Sequence, residues 1–205
     1  MKHSDNGTSL PVKYHTDIMR IKRLQADFFS RDVLKVAPEL IGKTLAVRTE
    51  NDQIQRYIIT ETEAYRGSED KACHASKGKT ARTEVMYREG GSIYVYFVYG
   101  MYWMLNFVCG EKDNPQAALI RGIDGFDGPG KLTRALKIDG SFYGLDLTSS
   151  DRIWVEDTGF RPEIKRGLRI GIDYAGDPWK NKLWRYCMDP SSPTDASISA
   201  GLKGG

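Results

Sequence analysis

The sequence predicts an α+β fold: a single domain with a curved, mostly antiparallel β-sheet, short flanking helices and a protruding aromatic β-hairpin. Three observations lead to this prediction. Segments rich in β-branched and aromatic residues outnumber the helical segments. The connections between them are too short for the crossovers that join parallel strands, so neighbouring strands are expected to run antiparallel. A chain of 205 residues has the size of one domain with a substantial core.

The first elements are a short helix and a hairpin. Asp32 is a favourable N-cap, and the helix that it starts is predicted to end before Gly42. Strands are predicted next at residues 44–49 and 55–65, because β-branched and aromatic residues dominate there. A turn around residues 50–53 joins these two strands into a hairpin.

The middle of the chain adds an aromatic hairpin, another strand and a second helix. Residues 92–99 and 101–109 are predicted to form two strands that meet at Gly100. Residues 117–123 form a further apolar strand. Residues 128–138 are predicted to be helical, because a proline lies near their start and apolar residues follow at intervals of two to four.

The C-terminal part adds three short strands, predicted at residues 152–157, 167–173 and 183–188. No repeat or linker divides the chain, so one folded domain is predicted over residues 24–190. Residues 1–23 are polar and are predicted to form a loose tail, and residues 191–205 are predicted to form a second tail.

Composition excludes several classes of protein. Hydrophobic residues make up 40% and charged residues 28% of the chain, as in globular proteins, and no segment is long and apolar enough for a membrane span. The polar N-terminus does not resemble a signal peptide, and three cysteines without a CxxC pair favour a reducing, cytoplasmic compartment. Only one of the three histidines, His74, lies inside the predicted domain, so no metal site is expected. No phosphate-binding glycine motif occurs in the sequence, so no nucleotide cofactor is expected.

The positive charge is clustered rather than spread evenly. The formal net charge is only +3, but lysines and arginines concentrate at residues 77–82, 131–137, 161–169 and 179–185. Each cluster alone is most simply a solvated enzyme surface. Four such clusters together with an aromatic hairpin favour a polyanionic partner.

The catalytic chemistry is expected to depend on carboxylates. Glu61 and Glu63 are two residues apart in a predicted strand, so both side chains point to one face, with Tyr65 in the same row. Two such carboxylates are usually exposed to solvent; beside apolar residues, however, a carboxylate has a raised pKa and suits the activation of water. Arg121 is isolated in an apolar strand, where it either pairs with a carboxylate or points outward from an edge strand.

Residues 94–103 place six aromatic rings in ten positions. Strand alternation predicts rings on both faces, with Tyr94, Tyr96 and Val98 on one face and Val95, Phe97 and Tyr99 on the other. Rings hold single bases by stacking, and a stiff hairpin can push one side chain between base pairs. Tyr99, next to Gly100, is therefore predicted to be the wedge, and Tyr96 is predicted to line the pocket of an extruded base. Asn106 either reads a base edge or hydrogen-bonds a strand end.

The order of these motifs resembles the alkyladenine (3-methyladenine) DNA glycosylase family over about residues 24–188. The matching segments are ETEAY (61–65), His74, T-x-R (80–82), IYVYFVYGMYWMLN (93–106), LIR (119–121) and GPGKLTRALKI (128–138). Two features depart from the family's pattern. Only residues 122–127 separate the LIR strand from the next helix, where the family often has an insertion, and Thr83 follows T-x-R where asparagine is common.

The resemblance implies a monofunctional DNA glycosylase that flips damaged purines, of the 3-methyladenine type and also hypoxanthine, out of duplex DNA and hydrolyses the N-glycosidic bond. In this family one glutamate activates water; that role falls on Glu63, while Glu61 is structural and Arg121 helps to hold the water. The base-binding pocket is implied to consist of Tyr65, His74, Tyr96 and Asn106. Asn106 would discriminate against the exocyclic amine of guanine, and Tyr99 would intercalate. The expected contacts to the DNA backbone are Lys79, Thr80, Arg82 and Lys131.

The expected partner is double-stranded DNA with damaged purines, bound by a monomer without a cofactor, a metal or a membrane. The expected location is the cytoplasm, at the nucleoid in a bacterium, or the nucleus in a eukaryote. Two other functions stay open: a non-catalytic protein that binds damaged or single-stranded nucleic acid, and a bifunctional glycosylase/lyase. The second needs an amine nucleophile, and no lysine lies on an apolar strand beside the carboxylates. Release of a free base from damaged DNA separates the binding protein from an enzyme.

Overall fold

The structure is a computed structural model, and it describes residues 21–192. Within this range the strands are β1 (Lys22–Arg23), β2 (Thr44–Arg48), β3 (Ile54–Arg66), β4 (Ile93–Val98), β5 (Tyr102–Cys109), β6 (Gln116–Ile123), β7 (Phe126–Asp127), β8 (Ile153–Asp157), β9 (Ile164–Gly167) and β10 (Arg185–Met188). The α-helices are short: α1 (Ala26–Phe29), α2 (Val33–Leu40) and α3 (Pro129–Ala135). Single 3-10 turns lie in several connections, the first of them at His74–Lys77.

The strands form one antiparallel sheet that does not close into a barrel. Its central path runs in the order β1-β8-β2-β3-β6-β5-β4, while β10 pairs with β3 and β9, and β7 pairs with β6. Every pairing between these strands is antiparallel. The predicted α+β class is therefore confirmed for the described residues.

The long strand β3 connects the two halves of the sheet. Its first part pairs with β2, and its second part pairs with β6 on one side and β10 on the other. Its register against β6 shifts between Ile59 and Glu61 and again between Glu61 and Thr62. Such irregularities bend a strand and redirect its side chains. The bend lies at the first glutamate of the ETEAY segment.

Two helices pack against the sheet, and one of them, α2, contacts the bent strand β3. The buried face of α2 consists of Val33, Val36, Ala37 and Leu40, and it packs on β3 and β6. Asp32 caps the helix by accepting a hydrogen bond from the Leu34 N–H at 2.8 Å, as predicted. The other helix, α3, packs on β5, and Gly130 permits the close contact because a Cβ there would lie 2.5 Å from the Tyr102 ring.

The strand predicted at residues 167–173 is wrong. Gly167 is the last residue of β9, and the chain then continues as an irregular loop. Arg169 is buried in this loop, whereas Leu168 and Ile170 on either side of it are exposed. These two apolar residues of the alternating segment therefore lie on the surface, and the charged residue points inward. The other predicted strands and helices are confirmed, with bounds that shift by up to three residues.

The predicted tails lie mostly outside the described residues. Lys22 and Arg23 fall in the predicted N-terminal tail, but they form β1 and pair with Asp157 and Glu156 of β8. Near the other end, the Ser192 hydroxyl accepts a hydrogen bond from the Glu163 N–H at 3.0 Å. Among the helices of residues 21–192, none combines the length and the apolar character that crossing a bilayer requires.

Candidate active site

The β4–β5 hairpin, β6, the end of β3 and the loop after β9 enclose a cavity of about 360 Å³. Six rings line it: Tyr65, His74, Tyr94, Tyr96, Tyr99 and Tyr174. Asn106 and Arg121 add polar groups to the same wall. Aromatic walls with a few placed polar groups suit a flat, partly polar ligand.

Glu63 lies on β3 directly behind the wall of this cavity, and its side chain is 0% exposed. Its Oε1 accepts a hydrogen bond from the Ile170 N–H at 2.8 Å, and its Oε2 accepts one from the Tyr65 hydroxyl at 2.8 Å. Tyr65, Ile170 and Arg121 all line the cavity. The carboxylate is thus in direct contact with residues that a ligand in the cavity would touch.

Arg121 contacts both glutamates of the ETEAY segment. Its Nε lies 3.2 Å from Glu61 Oε1 and 3.5 Å from Glu63 Oε1. Arg185, on β10, contacts the same Glu61 oxygen at 3.0 Å. Arg121 is therefore a paired arginine at the cavity and does not point outward from an edge strand. Glu61 is held between two arginines, whereas Glu63 has Arg121 alone as its cationic neighbour within 4 Å among the described residues.

The pKa of Glu63 is raised, mainly because burial penalises the charged carboxylate. Three contacts oppose this shift by favouring the charged form: the Arg121 guanidinium, the Ile170 amide and the Tyr65 hydroxyl. Burial and the nearby Glu63 carboxylate raise the pKa of Tyr65 well above its usual value, so its hydroxyl stays protonated. A carboxylate in such a setting is a suitable acceptor for a proton from water.

His74 and two tyrosines form one aromatic wall. His74 Nδ1 lies 2.8 Å from the Tyr94 hydroxyl, and the centroids of the His74 and Tyr96 rings are 4.6 Å apart. Burial, with smaller effects of Arg82 and Lys77, lowers the pKa of His74 to about 4. The imidazole is therefore neutral at pH 7. The Arg82 guanidinium lies over the other side of this wall, 4.9 Å from the centroid of the Tyr96 ring.

Asn106 is buried and hydrogen-bonds the backbone, as one of its two interpretations predicts. Its Nδ2 donates to the carbonyl oxygens of Tyr94 at 3.1 Å and Met104 at 3.2 Å. With the nitrogen used in this way, Oδ1 is the polar atom that Asn106 can offer to a ligand in the cavity that it lines. The reading of a base edge by this side chain stays a prediction.

Tyr99 is at the tip of the β4–β5 hairpin and is 86% exposed. The Met101 N–H donates to the Val98 carbonyl at 3.1 Å, and the two central residues of this turn, Tyr99 and Gly100, have φ values of 52° and 65°. Positive φ at both positions is typical of type I′ hairpin turns. The predicted alternation, with Tyr99 on the face opposite Tyr96, is wrong because this left-handed backbone brings Tyr99 to the cavity.

The residues predicted to contact the DNA backbone are exposed; they are Lys79, Thr80, Arg82 and Lys131. Two of them adjoin the cavity, since Arg82 stacks on Tyr96 and Lys131 lies in the first turn of α3, whose Pro129 lines the cavity. Thr83, which departs from the family's pattern, is buried and bonds the Thr80 hydroxyl at 3.0 Å, so it organises this segment from within. Contacts to DNA by all four residues stay a prediction.

The sequence did not point to the loop at residues 168–176. This loop provides the Ile170 amide that binds Glu63, the Tyr174 ring in the cavity wall and the buried Arg169. A backbone amide has no signature in a sequence, and the apolar alternation at residues 167–173 predicted a strand here. The alternation of apolar residues around Arg169 gives no sign that Arg169 is a buried residue of this segment.

The fold and the site together define a class of protein: a single α+β domain with an aromatic cavity for a flat ligand and a buried carboxylate behind the cavity wall. The model of the family described as methylpurine-DNA glycosylase matches residues 27–127 and 124–192. These matches span nearly all of the described residues. The chain therefore belongs to the methylpurine-DNA glycosylase family.

Individual relatives agree with this assignment. A protein of Psychrobacter cryohalolentis is 43% identical over 192 residues, which cover 80% of this chain and 90% of the relative. A protein of Clostridium novyi is 39% identical, with coverage of 83% and 97%, and one of Rickettsia rickettsii is 44% identical, with coverage of 80% and 89%. All three bear the name "Putative 3-methyladenine DNA glycosylase".

Proposed function

We propose that the protein is a monofunctional DNA-3-methyladenine glycosylase that binds a damaged purine, flipped out of duplex DNA, in the aromatic cavity and hydrolyses its N-glycosidic bond. Family membership supports the glycosylase activity, and the names of the relatives support the base. The structural observation that supports it most is the buried Glu63 carboxylate, which contacts Arg121 behind a cavity lined by rings.

In this proposal Glu63 is the general base. The oxygen of a water molecule forms a bond to the anomeric carbon of the deoxyribose, and Glu63 accepts a proton from that water. The bond between the anomeric carbon and the purine nitrogen breaks, and its electron pair leaves with the purine. Ile170 N–H and Tyr65 O–H hold the carboxylate in place, and each carboxylate oxygen keeps a lone pair for a further donor.

The protonation states of the side chains that line the cavity favour alkylated purines as substrates. His74 is neutral at pH 7, and burial raises the pKa values of Tyr94 and Tyr96, so these rings are weak acids towards a leaving base. A purine alkylated at a ring nitrogen is already cationic in the nucleotide, and it leaves as a neutral molecule without an added proton. Aromatic faces also attract a cation. We expect hypoxanthine, which is neutral in the nucleotide, to be excised more slowly than 3-methyladenine.

Glu63→Gln tests the assignment of the base. The amide keeps the size of the side chain but cannot take up a proton, so the rate of 3-methyladenine release from methylated duplex DNA should fall at least ~100-fold. The measurement is a single-turnover assay of the free base, with Glu61→Gln as the matched variant. Near-normal release by Glu63→Gln, together with an inactive Glu61→Gln, would mean that the other glutamate is the base.

Stability and binding controls keep this test specific. A raised pKa means that the folded state prefers the protonated carboxyl, so the charged form lowers stability above that pKa and the effect disappears at acid pH. Glu63→Gln should therefore melt no lower than the wild-type protein at pH 8. Its affinity for lesion-containing duplex should persist.

The same assay tests the two other functions. A non-catalytic binding protein would retain lesion binding but release no free base. A bifunctional glycosylase/lyase would also cut the strand, a step that requires an amine nucleophile. No lysine lines the cavity formed by the described residues, so we expect base release to leave an intact strand with an abasic site.

A further inference from the structure

A buried ion pair lies beside the cavity and does not line it. The side chains of Arg169 and Asp70 are each 0% exposed. Arg169 Nη1 lies 2.6 Å from Asp70 Oδ2, and Nη2 lies 3.0 Å from Oδ1, which is the paired geometry that a guanidinium and a carboxylate form best. Neither residue is part of the cavity wall.

Arg169 connects the loop after β9 to the strand that carries Glu63. Its Nη1 donates to the Ala64 carbonyl at 3.0 Å, and its guanidinium lies 4.9 Å from the centroid of the Tyr65 ring. Ala64 and Tyr65 directly follow Glu63 in β3. The next residue of the loop, Ile170, donates its N–H to the Glu63 carboxylate. Arg169 thus holds the residues beside Glu63 while its neighbour holds the carboxylate itself.

Asp70, the other member of the pair, is also hydrogen-bonded to the backbone. Asp70 Oδ2 accepts a hydrogen bond from the Arg66 N–H at 3.1 Å, and Oδ1 accepts one from the Ala72 N–H at 3.1 Å. Arg169 Nη2 donates to the Trp179 carbonyl at 3.2 Å. The pair therefore joins four segments: the end of β3, the turn that leads to His74, the loop after β9 and the 3-10 turn at Trp179–Asn181.

Stability alone is a weak reason for such a pair. Removing two charges from water has a large desolvation cost, and well-packed apolar residues in the same place are often as stable or more stable. Among the described residues, moreover, none gives Arg169 Nε a hydrogen-bond partner. What the pair provides that apolar side chains do not is a defined orientation of the backbone at Ile170.

We propose that Arg169 is a positioning residue: paired with Asp70, it holds the Ile170 amide on the Glu63 carboxylate and so sets the geometry of the general base. This inference rests on the proposed role of Glu63. Arg169 acts through Ile170 and is not expected to touch the DNA base.

The test uses a double variant, Arg169→Met/Asp70→Asn. It removes both charges together and keeps an acceptor oxygen for the turn at Asp70, whereas either single neutralisation would leave a buried charge without its partner. The Ile170 N–H favours the charged form of Glu63, so its displacement should raise the pKa of that carboxyl. We expect the acid limb of the single-turnover pH profile to move to higher pH by about one unit. Above that limb the rate should be about ten-fold lower.

The pH profile reports on every titratable or charged group that faces Glu63. These groups are Glu61, Tyr65, Tyr96, Arg121, Arg185 and Cys187. The double variant substitutes none of them; Arg169 acts on one, since its charge opposes the rise in the pKa of Tyr65. The matched control, Arg56→Met/Glu156→Gln, removes a partly buried ion pair between β3 and β8, neither member of which lines the cavity. It should leave the acid limb in place even if it lowers the melting temperature.

Arg169→Lys is the second variant, for the case in which the double variant does not fold. It keeps the charge of the pair but lacks the fork that binds Asp70, Ala64 and Trp179 together, so the acid limb should move in the same direction. A folded double variant, or a folded Arg169→Lys, with the wild-type profile and rate would overturn the positioning role. If Glu63→Gln were fully active in the same assay, the role of Glu63 as general base would fail; if the wild-type protein released no free base, the proposed function itself would fail, whatever the profile of the Arg169 variants.

Discussion

At the scale of single residues, two opposing effects act on the charge of the Glu63 carboxylate. Burial raises its pKa and makes the charged carboxylate costly in the folded protein. Arg121, Ile170 and Tyr65 offset part of this cost, because each favours the charged form. A group that is destabilised in its charged state and held by only a few contacts is well suited to accept a proton, as is common at catalytic sites.

Asn106 offers a residue-scale test of base selection. Asn106→Ser should leave the excision of 3-methyladenine within a few fold of wild type and should increase the excision of guanine-type bases. The reason is that the side-chain amide, fixed by its bonds to the Tyr94 and Met104 carbonyls, would crowd an exocyclic amine on the purine. The measurement is the release of 3-methyladenine and 7-methylguanine from the same methylated DNA.

Thermal melting separates this role from a purely structural one. Asn106→Ser removes hydrogen bonds to two backbone carbonyls, each worth about 1 kcal/mol, so a lower melting temperature is expected in either case. A lower melting temperature with unchanged discrimination between the two bases would assign Asn106 to strand pairing alone.

At the scale of elements, the β4–β5 hairpin explains why rings occupy both of its faces. Tyr94 and Tyr96 face the cavity. On the opposite face Phe97 packs on Trp103 of the partner strand, with ring centroids 4.9 Å apart. Cross-strand aromatic pairs of this kind stabilise a two-stranded ribbon. The second set of rings therefore stiffens the element that presents Tyr99.

The exposed tip of this hairpin predicts a separable effect on base flipping. Tyr99→Asn should lower the flipped population about ten-fold or more, because stacking of one ring on a base is worth roughly 1–3 kcal/mol. Asparagine tolerates positive φ, so the turn should persist and the melting temperature should change little. A fluorescent base analogue at the lesion site measures flipping.

Leu183→Ser is the matched control for this variant, since Leu183 is also a large exposed apolar residue but does not line the cavity. It should leave flipping unchanged. Normal flipping by folded Tyr99→Asn would remove the wedge assignment. A large loss of melting temperature would instead show that the exposed Tyr99 ring stabilises the hairpin of the free protein.

At the scale of the whole molecule, exposed positive charge is concentrated near the cavity, although the net charge is only +3. The exposed cations at residues 77–82 and 131–137 belong to segments that contribute to the cavity wall or adjoin it. An arrangement of this kind attracts a polyanion locally even when the total charge is small. In the proposed function, phosphate contacts at these segments would place a base next to the aromatic cavity.

The salt dependence of binding tests this distribution. Affinity for duplex DNA should fall as salt rises, because the bound cations displace counterions from the phosphates. Lys131→Gln should reduce the slope of log affinity against log salt by about 0.9 if Lys131 makes one phosphate contact. Lys137→Gln is a suitable comparison, since Lys137 is paired with Glu50 at 2.6 Å. Affinity that does not change between low and moderate salt would contradict the role of these clusters.

The class of fold, most of the elements and many residues of the candidate site could be predicted from the sequence. Strand and helix positions depend on local properties such as apolar spacing, the Asp32 cap and the proline at the start of α3, all of which can be inspected along the chain. The carboxylates of ETEAY and the aromatic residues of YVYFVYGMYW likewise predicted residues that the structure brings together at one cavity.

The contacts that hold Glu63 could not be predicted in this way. The Ile170 amide and Arg169 reach it from a loop about 100 residues further along the chain, and the predicted strand at residues 167–173 concealed them. The face of the hairpin on which Tyr99 lies was also decided by folding, through a left-handed backbone that strand alternation does not anticipate. In the first case the contacts join segments far apart in the chain, which no local pattern encodes; in the second, the local turn at Tyr99 and Gly100 departs from strand geometry, so the alternation of side chains ends there.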